Sequence, residues 1–124
     1  MTIRRLKTFS AQTGYVYQYY FVGKREALPG DPAAPATEYV FDVTVDGSVV
    51  FAVSVLMRAA ALASWAAVHS RLLTESEQYA AAKLRLLRDF EAMESPARGA
   101  RRLVVDAEDV EDLLADLGLD ERSP

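Results

Sequence analysis

Three scarcities in this 124-residue chain exclude whole classes of site. There is no cysteine, so a disulfide framework, a thiolate metal site and a cysteine nucleophile are all impossible. His69 is the sole histidine, and one imidazole cannot build a histidine-rich metal centre. We therefore expect no metal and no cofactor. A chain without cysteine also suits a reducing compartment, so the expected localisation is cytoplasmic.

Long apolar runs and nucleotide-binding motifs are missing as well. The most apolar stretch, residues 49–68, is interrupted by Arg58 and by serines, whereas a membrane span needs about 20 uninterrupted apolar residues. The basic start lacks a following apolar segment, so neither a signal peptide nor a membrane association is expected. The chain contains no phosphate-binding loop, no dinucleotide glycine pattern and no nucleophile elbow. No catalytic residue is predicted, and enzymatic activity is left open.

Composition predicts one folded domain with unevenly distributed charge. Hydrophobic residues make up 51% of the chain and charged residues 26%, which suffices for a core and predicts a single α+β domain over residues 1–124. The first thirty residues carry five basic side chains against Glu26, whereas residues 105–124 carry eight carboxylates against Arg122. Internal pairing, a solvated face or a basic protein partner at the acidic end would each explain this asymmetry. The net charge of −4 argues against nucleic acid as a partner.

Residues 39–56 have the pattern of a β-hairpin. Apolar and polar side chains alternate up to Asp46-Gly47 and again after it, as in two strands with one buried face. A two-residue loop would put the two apolar rows on opposite faces, whereas a three-residue loop puts them on one face. The burial of both rows therefore predicts a loop of residues 46–48, with Val43 opposite Phe51.

A tyrosine-rich strand is predicted over residues 14–23. Tyr15, Tyr17 and Tyr19 share one face, but the other face also carries aromatic and apolar residues. Such a strand lies between two layers, forms a subunit contact, or provides a stacking platform for a flat ligand. Residues 6–10 could add a short edge strand. Three prolines make residues 26–37 a surface loop.

The hydrophobic period changes from two to about 3.6 after Met57, which predicts a helix. Its expected buried stripe continues as far as Leu73. Within this helix Arg58 and His69 fall on one side, three turns apart, and His69 is expected to pack among Leu62, Trp65 and Leu72. Thr74 and Glu77 form a capping-box pattern that ends this helix and starts a second one, predicted to reach Met93 with an exposed Arg85–Asp89 pair.

The end of the chain predicts a loop, a short strand and an acidic helix. Residues 95–99 contain proline and glycine, and residues 101–105 are strand-like. Asp106 is a suitable N-cap for a helix over residues 106–118. Its apolar stripe consists of Val110, Leu113, Leu114 and Leu117. An isolated helix of this length is marginal in water, so we expect it to be docked, either on its own domain or on a second subunit.

Together these elements predict an α+β fold: an antiparallel three-stranded meander, packed by two consecutive helices and followed by the acidic helix. The leading functional hypothesis is a small interaction or regulatory module that forms a homodimer through its sheet or through the alanine-rich face of its first helix. The alternative is a ligand-binding or enzymatic domain that uses Arg58, His69 and a tyrosine of the first strand. The candidate ligand-binding residues are Tyr15, Tyr17, Tyr19, Arg58 and His69.

Overall fold

The computed structural model describes residues 6–47, 49–93 and 101–118. Over these residues the chain forms five strands and three helices. In chain order they are β1 (Lys7–Ser10), β2 (Val16–Glu26), β3 (Ala36–Val45), β4 (Val49–Arg58), α1 (Ala59–His69), α2 (Glu75–Ala92), β5 (Arg102–Val105) and α3 (Ala107–Asp116). The predicted loop at residues 95–99 lies outside the described part of the chain.

The five strands form one mixed sheet with the spatial order β1-β2-β3-β4-β5. The first four strands are antiparallel neighbours, and β5 pairs with β4 in parallel. The α+β class is confirmed, and β1 is the possible fourth strand expected at residues 6–10. The purely antiparallel meander is wrong in detail, because a fifth strand joins the sheet in parallel. The parallel pairing arises because α1 and α2 return the chain to the end of the sheet where β4 begins.

The predicted hairpin register is confirmed. Val43 lies opposite Phe51, and Val45 lies opposite Val49. Asp46 and Gly47 have φ angles of 50° and 78°, which suits the left-handed positions of a short hairpin loop. The third loop residue, Ser48, lies outside the described residues. The Asp46 carboxylate also accepts a hydrogen bond from the Val16 N–H at 2.9 Å, so the loop is fastened to β2.

The core lies between one face of the sheet and the helices. Tyr17, Phe41 and Phe90 are fully buried. The rings of Tyr17 and Phe90 stack with centroids 4.2 Å apart and planes inclined by 4°, and the Tyr19 ring lies 5.7 Å from Phe90. Because large aromatic side chains bury the most apolar area per residue, this cluster binds α2 to β2.

The first helix ends earlier than predicted. α1 stops at His69, where Ser70 adopts a left-handed conformation with φ of 58° and donates its N–H to the Ala66 carbonyl. Leu72 therefore lies outside the helix and is 80% exposed, and Val68 on the last turn is 68% exposed. Val68 and Leu72 therefore do not belong to the buried stripe that the sequence predicted for this helix, whereas Ala61 is buried.

The predicted capping box at the start of α2 is confirmed. The Thr74 hydroxyl accepts from the Glu77 N–H at 3.1 Å, and the Glu77 carboxylate accepts from the Thr74 N–H at 2.9 Å. The outer face of α2 differs from expectation at Asp89, whose Oδ2 is buried without a hydrogen-bond partner among the described residues. Burial raises the pKa of this carboxyl, although Arg85 and Arg101 act in the opposite direction.

The acidic helix docks on its own chain. Val110, Leu113 and Leu114 are buried against α1, α2 and β5, whereas Leu117 remains 38% exposed. The Arg88 guanidinium of α2 forms ion pairs with two carboxylates of α3, at 2.7 Å from Asp116 and 3.4 Å from Asp112. Part of the acidic end is thus paired within the chain, but with Arg88 rather than with the basic residues of the first thirty. A basic partner at this helix stays a prediction.

Candidate functional site

The predicted tyrosine platform lies in the core. Tyr17 is completely buried and Tyr19 is 4% exposed, and Tyr15 is half-buried beside them. Burial raises the pKa of the Tyr17 and Tyr19 phenols. Their rings are already in contact with Phe90 and Phe41. Ligand stacking on these tyrosines stays a prediction, and in this structure the row serves as packing.

The structure does not bring Arg58 and His69 together. Arg58 is the last residue of β4 rather than part of the helix, and His69 is the last residue of α1. The intervening helix separates them by about 16 Å. Arg58 Nε lies 3.3 Å from the Asp106 carboxylate, at the adjoining ends of β4 and β5. A depression of about 670 Å³ lies there, and its walls also carry Glu108 and Asp109, so one guanidinium faces three carboxylates and anion binding is disfavoured.

His69 connects two helices. Its ring stacks on Trp65 with centroids 4.2 Å apart and planes inclined by 18°, and Nε2 donates to the Glu111 carboxylate of α3 at 3.0 Å. The predicted contact with Trp65 is confirmed, but Leu72 is exposed rather than packed around the ring. The observed contacts of His69 hold α3 against α1. A role of His69 in ligand binding stays a prediction.

All three helices pack on one face of the sheet, and the opposite face is largely uncovered. On β2 this outer face presents Val16 and Val22, which are 38% and 37% exposed. Tyr20 and the neighbouring β3 residues Val40 and Thr44 are half-buried between them. We call these five residues the outer patch. Outward faces of antiparallel sheets are usually polar, so a patch with three valines and a tyrosine is unusual.

The loop between β2 and β3 covers the other part of the outer face. Residues 27–35 fold back so that Ala33 packs on Leu56 of β4, which is completely buried. Asp31 forms an ion pair with Arg102 of β5, and this contact ties the loop to the edge of the sheet. The loop therefore shields β4 and β5 and leaves the outer patch on β2 and β3 open.

Polar groups beside the outer patch are hydrogen-bonded within the chain. The Tyr20 hydroxyl donates to Asp42 at 2.9 Å. Glu38 receives Arg25 Nε at 3.0 Å and the Ser54 hydroxyl at 2.6 Å. Arg25 first, and then Ser54, lower the pKa of the Glu38 carboxyl, so this group stays ionised and paired at neutral pH. The outer face of β2 and β3 thus mixes the apolar residues of the patch with the polar side chains of Gln18 and Asp42.

A β-bulge shapes one end of the outer patch. The β2–β3 register shifts between Phe21 and Gly23, so Val22 is an extra residue on β2. Beside it lies a depression of about 240 Å³ that is lined by Val22, Gly23, Lys24, Arg25 and Val40. The outer patch therefore has a hollow at the Val22 end, whereas Val16 stands exposed at the opposite end of the strand.

One signal for this surface was present in the sequence. Val16, Tyr20 and Val22 alternate with the buried tyrosine row, so both faces of β2 are apolar, and a subunit contact was one interpretation of that pattern. The bulge and the folded-back loop had no comparable signal. Both depend on the pairing of β2 with β3, which residue types alone do not specify.

Comparison of the chain with protein-family models, with curated proteins and with solved structures finds no match. Within the described residues, no three histidine or acidic side chains are grouped so as to hold a metal ion. None of the helices in those residues has the length and apolar character needed to cross a membrane.

Proposed function

We propose that the protein is a small interaction module that acts as a homodimer, with the outer patch as the contact between the two copies. The observation that supports this proposal is the uncovered apolar face of β2 and β3, opposite the helix layer. Val16 and Val22 are more than a third exposed there, whereas the loop of residues 27–35 packs over Leu56 and Val104 on the same side of the sheet. Contact with a second sheet would remove both valines from water.

A second copy suits this face better than a charged partner does. Glu38 is ion-paired with Arg25, and the Asp42 carboxylate accepts from the Tyr20 hydroxyl, so this face offers a strongly charged partner few groups that are not already bonded. A two-fold contact brings like surfaces together, and Val16, Val22 and Val40 can pack against their copies without charge repulsion.

The shape of the outer patch also favours a two-fold contact. Val16 and Val22 are six residues apart on β2, or about 20 Å along an extended strand. A two-fold axis near Tyr20 would seat the exposed Val16 of each copy in the hollow beside Val22 of the other. Each copy would then supply one projection and one hollow, as an isologous interface requires.

Sedimentation equilibrium tests this proposal. The wild-type mass is expected to rise towards twice the chain mass as the concentration approaches about 1 mM, where even a millimolar dissociation constant gives a measurable fraction of dimer. Val22→Lys and Val16→Lys each place a charge in the contact and are expected to give monomers. Val68→Lys is the matched control, because Val68 is 68% exposed on the helix side, and it should leave the dimer intact.

Two results would contradict the proposal. A monomeric wild-type chain over the whole concentration range would exclude the homodimer. Dimers that persist in both outer-patch variants, with melting temperatures equal to wild type, would exclude this face as the contact.

A further inference from the structure

A second depression lies on the helix side of the sheet, where α2 begins. It has a volume of about 320 Å³, at the lower end of the range for small-molecule sites. We call it the aromatic slot, and it is lined by Phe21, Lys24, Tyr39, Glu75, Ser76 and Tyr79. The Phe21 ring lies 5.0 Å from Tyr79 and 6.2 Å from Tyr39, so the three rings form one continuous apolar wall.

The β-bulge at Val22 places a cation in the aromatic slot. In a regular strand Lys24 would project to the outer face, because Phe21 projects towards the helices and successive residues alternate. The extra residue reverses this alternation, so Lys24 lies opposite Tyr39 and shares its face. Bulges frequently redirect a side chain next to a functional site. Here the bulge directs an ammonium group to the rim of an aromatic wall.

A buried hydroxyl in the aromatic slot lacks a partner. Tyr39 is 1% exposed, and among the described residues no group lies within hydrogen-bonding distance of its hydroxyl. Burial raises the pKa of this phenol, the nearby Lys24 ammonium lowers it, and the Glu75 carboxylate raises it. The hydroxyl thus lies within electrostatic range of both charges at the rim. Buried hydroxyls in proteins usually have a partner, so a ligand acceptor that reached this one would supply the missing hydrogen bond.

An internal carboxylate marks where an anion can sit. Glu75 Oε1 lies 3.1 Å from Lys24 Nζ, and the Glu75 side chain is 85% exposed. Exposed ion pairs of this kind exchange readily. The backbone N–H groups of Glu75 and Ser76 belong to the first turn of α2 and have no acceptor within the helix. A carboxylate bound beside Lys24 would therefore also face the positive end of the helix dipole.

We propose that the aromatic slot binds a small flat carboxylate. Its hydrocarbon part would lie on the wall formed by Phe21 and Tyr79. Its carboxylate would replace that of Glu75 at the Lys24 ammonium and accept a hydrogen bond from the Tyr39 hydroxyl. The ligand class follows from this pairing of an aromatic wall with one cation and one neutral donor.

Titration with benzoate, followed by amide chemical shifts in two-dimensional NMR of the full chain, tests this proposal. Saturable shifts are expected at residues 21–24 and 75–79. Benzamide has the same shape without the charge, and acetate has the charge without the ring. We expect each of them to bind at least tenfold more weakly than benzoate, which corresponds to about 1.4 kcal/mol.

Matched variants separate ligand recognition from folding. Lys24→Met is expected to weaken benzoate binding about tenfold, whereas Lys83→Met, on the same helix-packed side, should leave it unchanged. Tyr39→Phe should weaken binding severalfold without loss of stability, because its hydroxyl has no partner to lose. Tyr17→Phe is its control, since Tyr17 also has a buried hydroxyl with no partner in the described part of the chain but lies outside the slot. Glu75→Gln should strengthen binding by releasing Lys24.

Several outcomes would overturn the proposal. Equal binding of benzamide would exclude recognition of the charge, and equal binding of acetate would exclude the aromatic wall. Benzoate shifts that do not saturate, or that are the same in the Lys24→Met and Tyr39→Phe variants as in wild type, would exclude the slot. Because the outer patch lies on the other face of the sheet, the dimer measurement neither supports nor weakens this result.

Discussion

Replacement of Glu77 by glutamine should make the stability of this protein depend less on pH. The Glu77 carboxylate accepts two hydrogen bonds from the Arg71 guanidinium, both at 2.9 Å, and one from the Thr74 N–H at 2.9 Å. The Arg71 bonds first, and then the backbone bond, lower the pKa of Glu77 from 4.5 to about 2. Glutamine can still accept from Thr74 as a capping-box residue, so the change removes mainly the charge.

The size of the effect follows from that pKa. Since one pKa unit corresponds to about 1.4 kcal/mol, the full difference sets an upper limit of about 3 kcal/mol. The Glu77 side chain is only 18% exposed, but Arg71 is 36% exposed, and solvent screening reduces the strength of such a pair. We therefore expect Glu77→Gln to lower the free energy of unfolding by about 1–2 kcal/mol near neutral pH.

The sign of the pH dependence is determined by the lowered pKa. A carboxyl whose folded pKa lies below its unfolded value stabilises the protein above the unfolded pKa, and this contribution is lost as the pH falls through the folded value. The difference between wild type and Glu77→Gln should thus be full above about pH 5 and nearly absent at about pH 2. Urea denaturation at a series of pH values, followed by circular dichroism, measures it.

Glu75→Gln provides the control for this series. It removes a carboxylate from the same turn of α2 and weakens the interaction with the helix dipole equally, but Glu75 takes no part in the capping box. The Glu75→Gln variant therefore measures the loss of a carboxylate from this turn without loss of the capping box. A Glu77→Gln difference that is the same at every pH would refute the assignment of the Arg71–Glu77 pair as a stabilising contact.

Three further predictions concern the helices and the core. Thr74→Ala should lower the free energy of unfolding by about 1 kcal/mol, the usual contribution of an N-cap. An unchanged urea midpoint would contradict the capped start of α2. Phe90→Ala should cost about 3–5 kcal/mol, because it leaves a cavity beneath the stacked ring of Tyr17; a loss below 1 kcal/mol in the same assay would show that the stack is not part of the core. Asp89→Asn should stabilise the protein at neutral pH. Because the pKa of Asp89 is raised in the folded state, its ionisation destabilises the folded state as the pH rises above 3.8. The stability gained by Asp89→Asn should therefore disappear in acid. A gain in unfolding free energy that is the same at every pH would contradict this prediction.

Local patterns in the sequence predicted several elements correctly. The hairpin register followed from residues 39–56 alone, because a slip of one residue would expose an entire apolar row. The start of α2 followed from Thr74 and Glu77, whose side chains cap backbone groups only three residues away. The N-terminal end of α3 at Asp106 followed in the same way, with the Asp109 carboxylate accepting from the Asp106 N–H at 2.8 Å. In each case the interacting groups are close in sequence.

Candidate site residues were harder to predict because their roles depend on distant contacts. The tyrosine row was visible, but Phe90, more than 70 residues along the chain from Tyr17, covers it. Arg58 and His69 were placed on one helix surface, yet Arg58 belongs to β4 and His69 to the α1–α3 contact. The aromatic slot combines Lys24, Tyr39 and Tyr79 from three separate elements, and no spacing in the sequence relates them.

The sequence by itself determined the periodicity of each element, the caps of α2 and α3, and the burial of both hairpin rows, since these properties follow from neighbouring residues and from the removal of apolar side chains from water. Only the tertiary structure decided that β5 pairs in parallel with β4, that the sheet keeps an uncovered outer patch, and that the bulge at Val22 directs Lys24 towards the helices. These features arise where segments far apart in the chain meet, and there the free energy depends on the fit between surfaces rather than on the preference of any one segment.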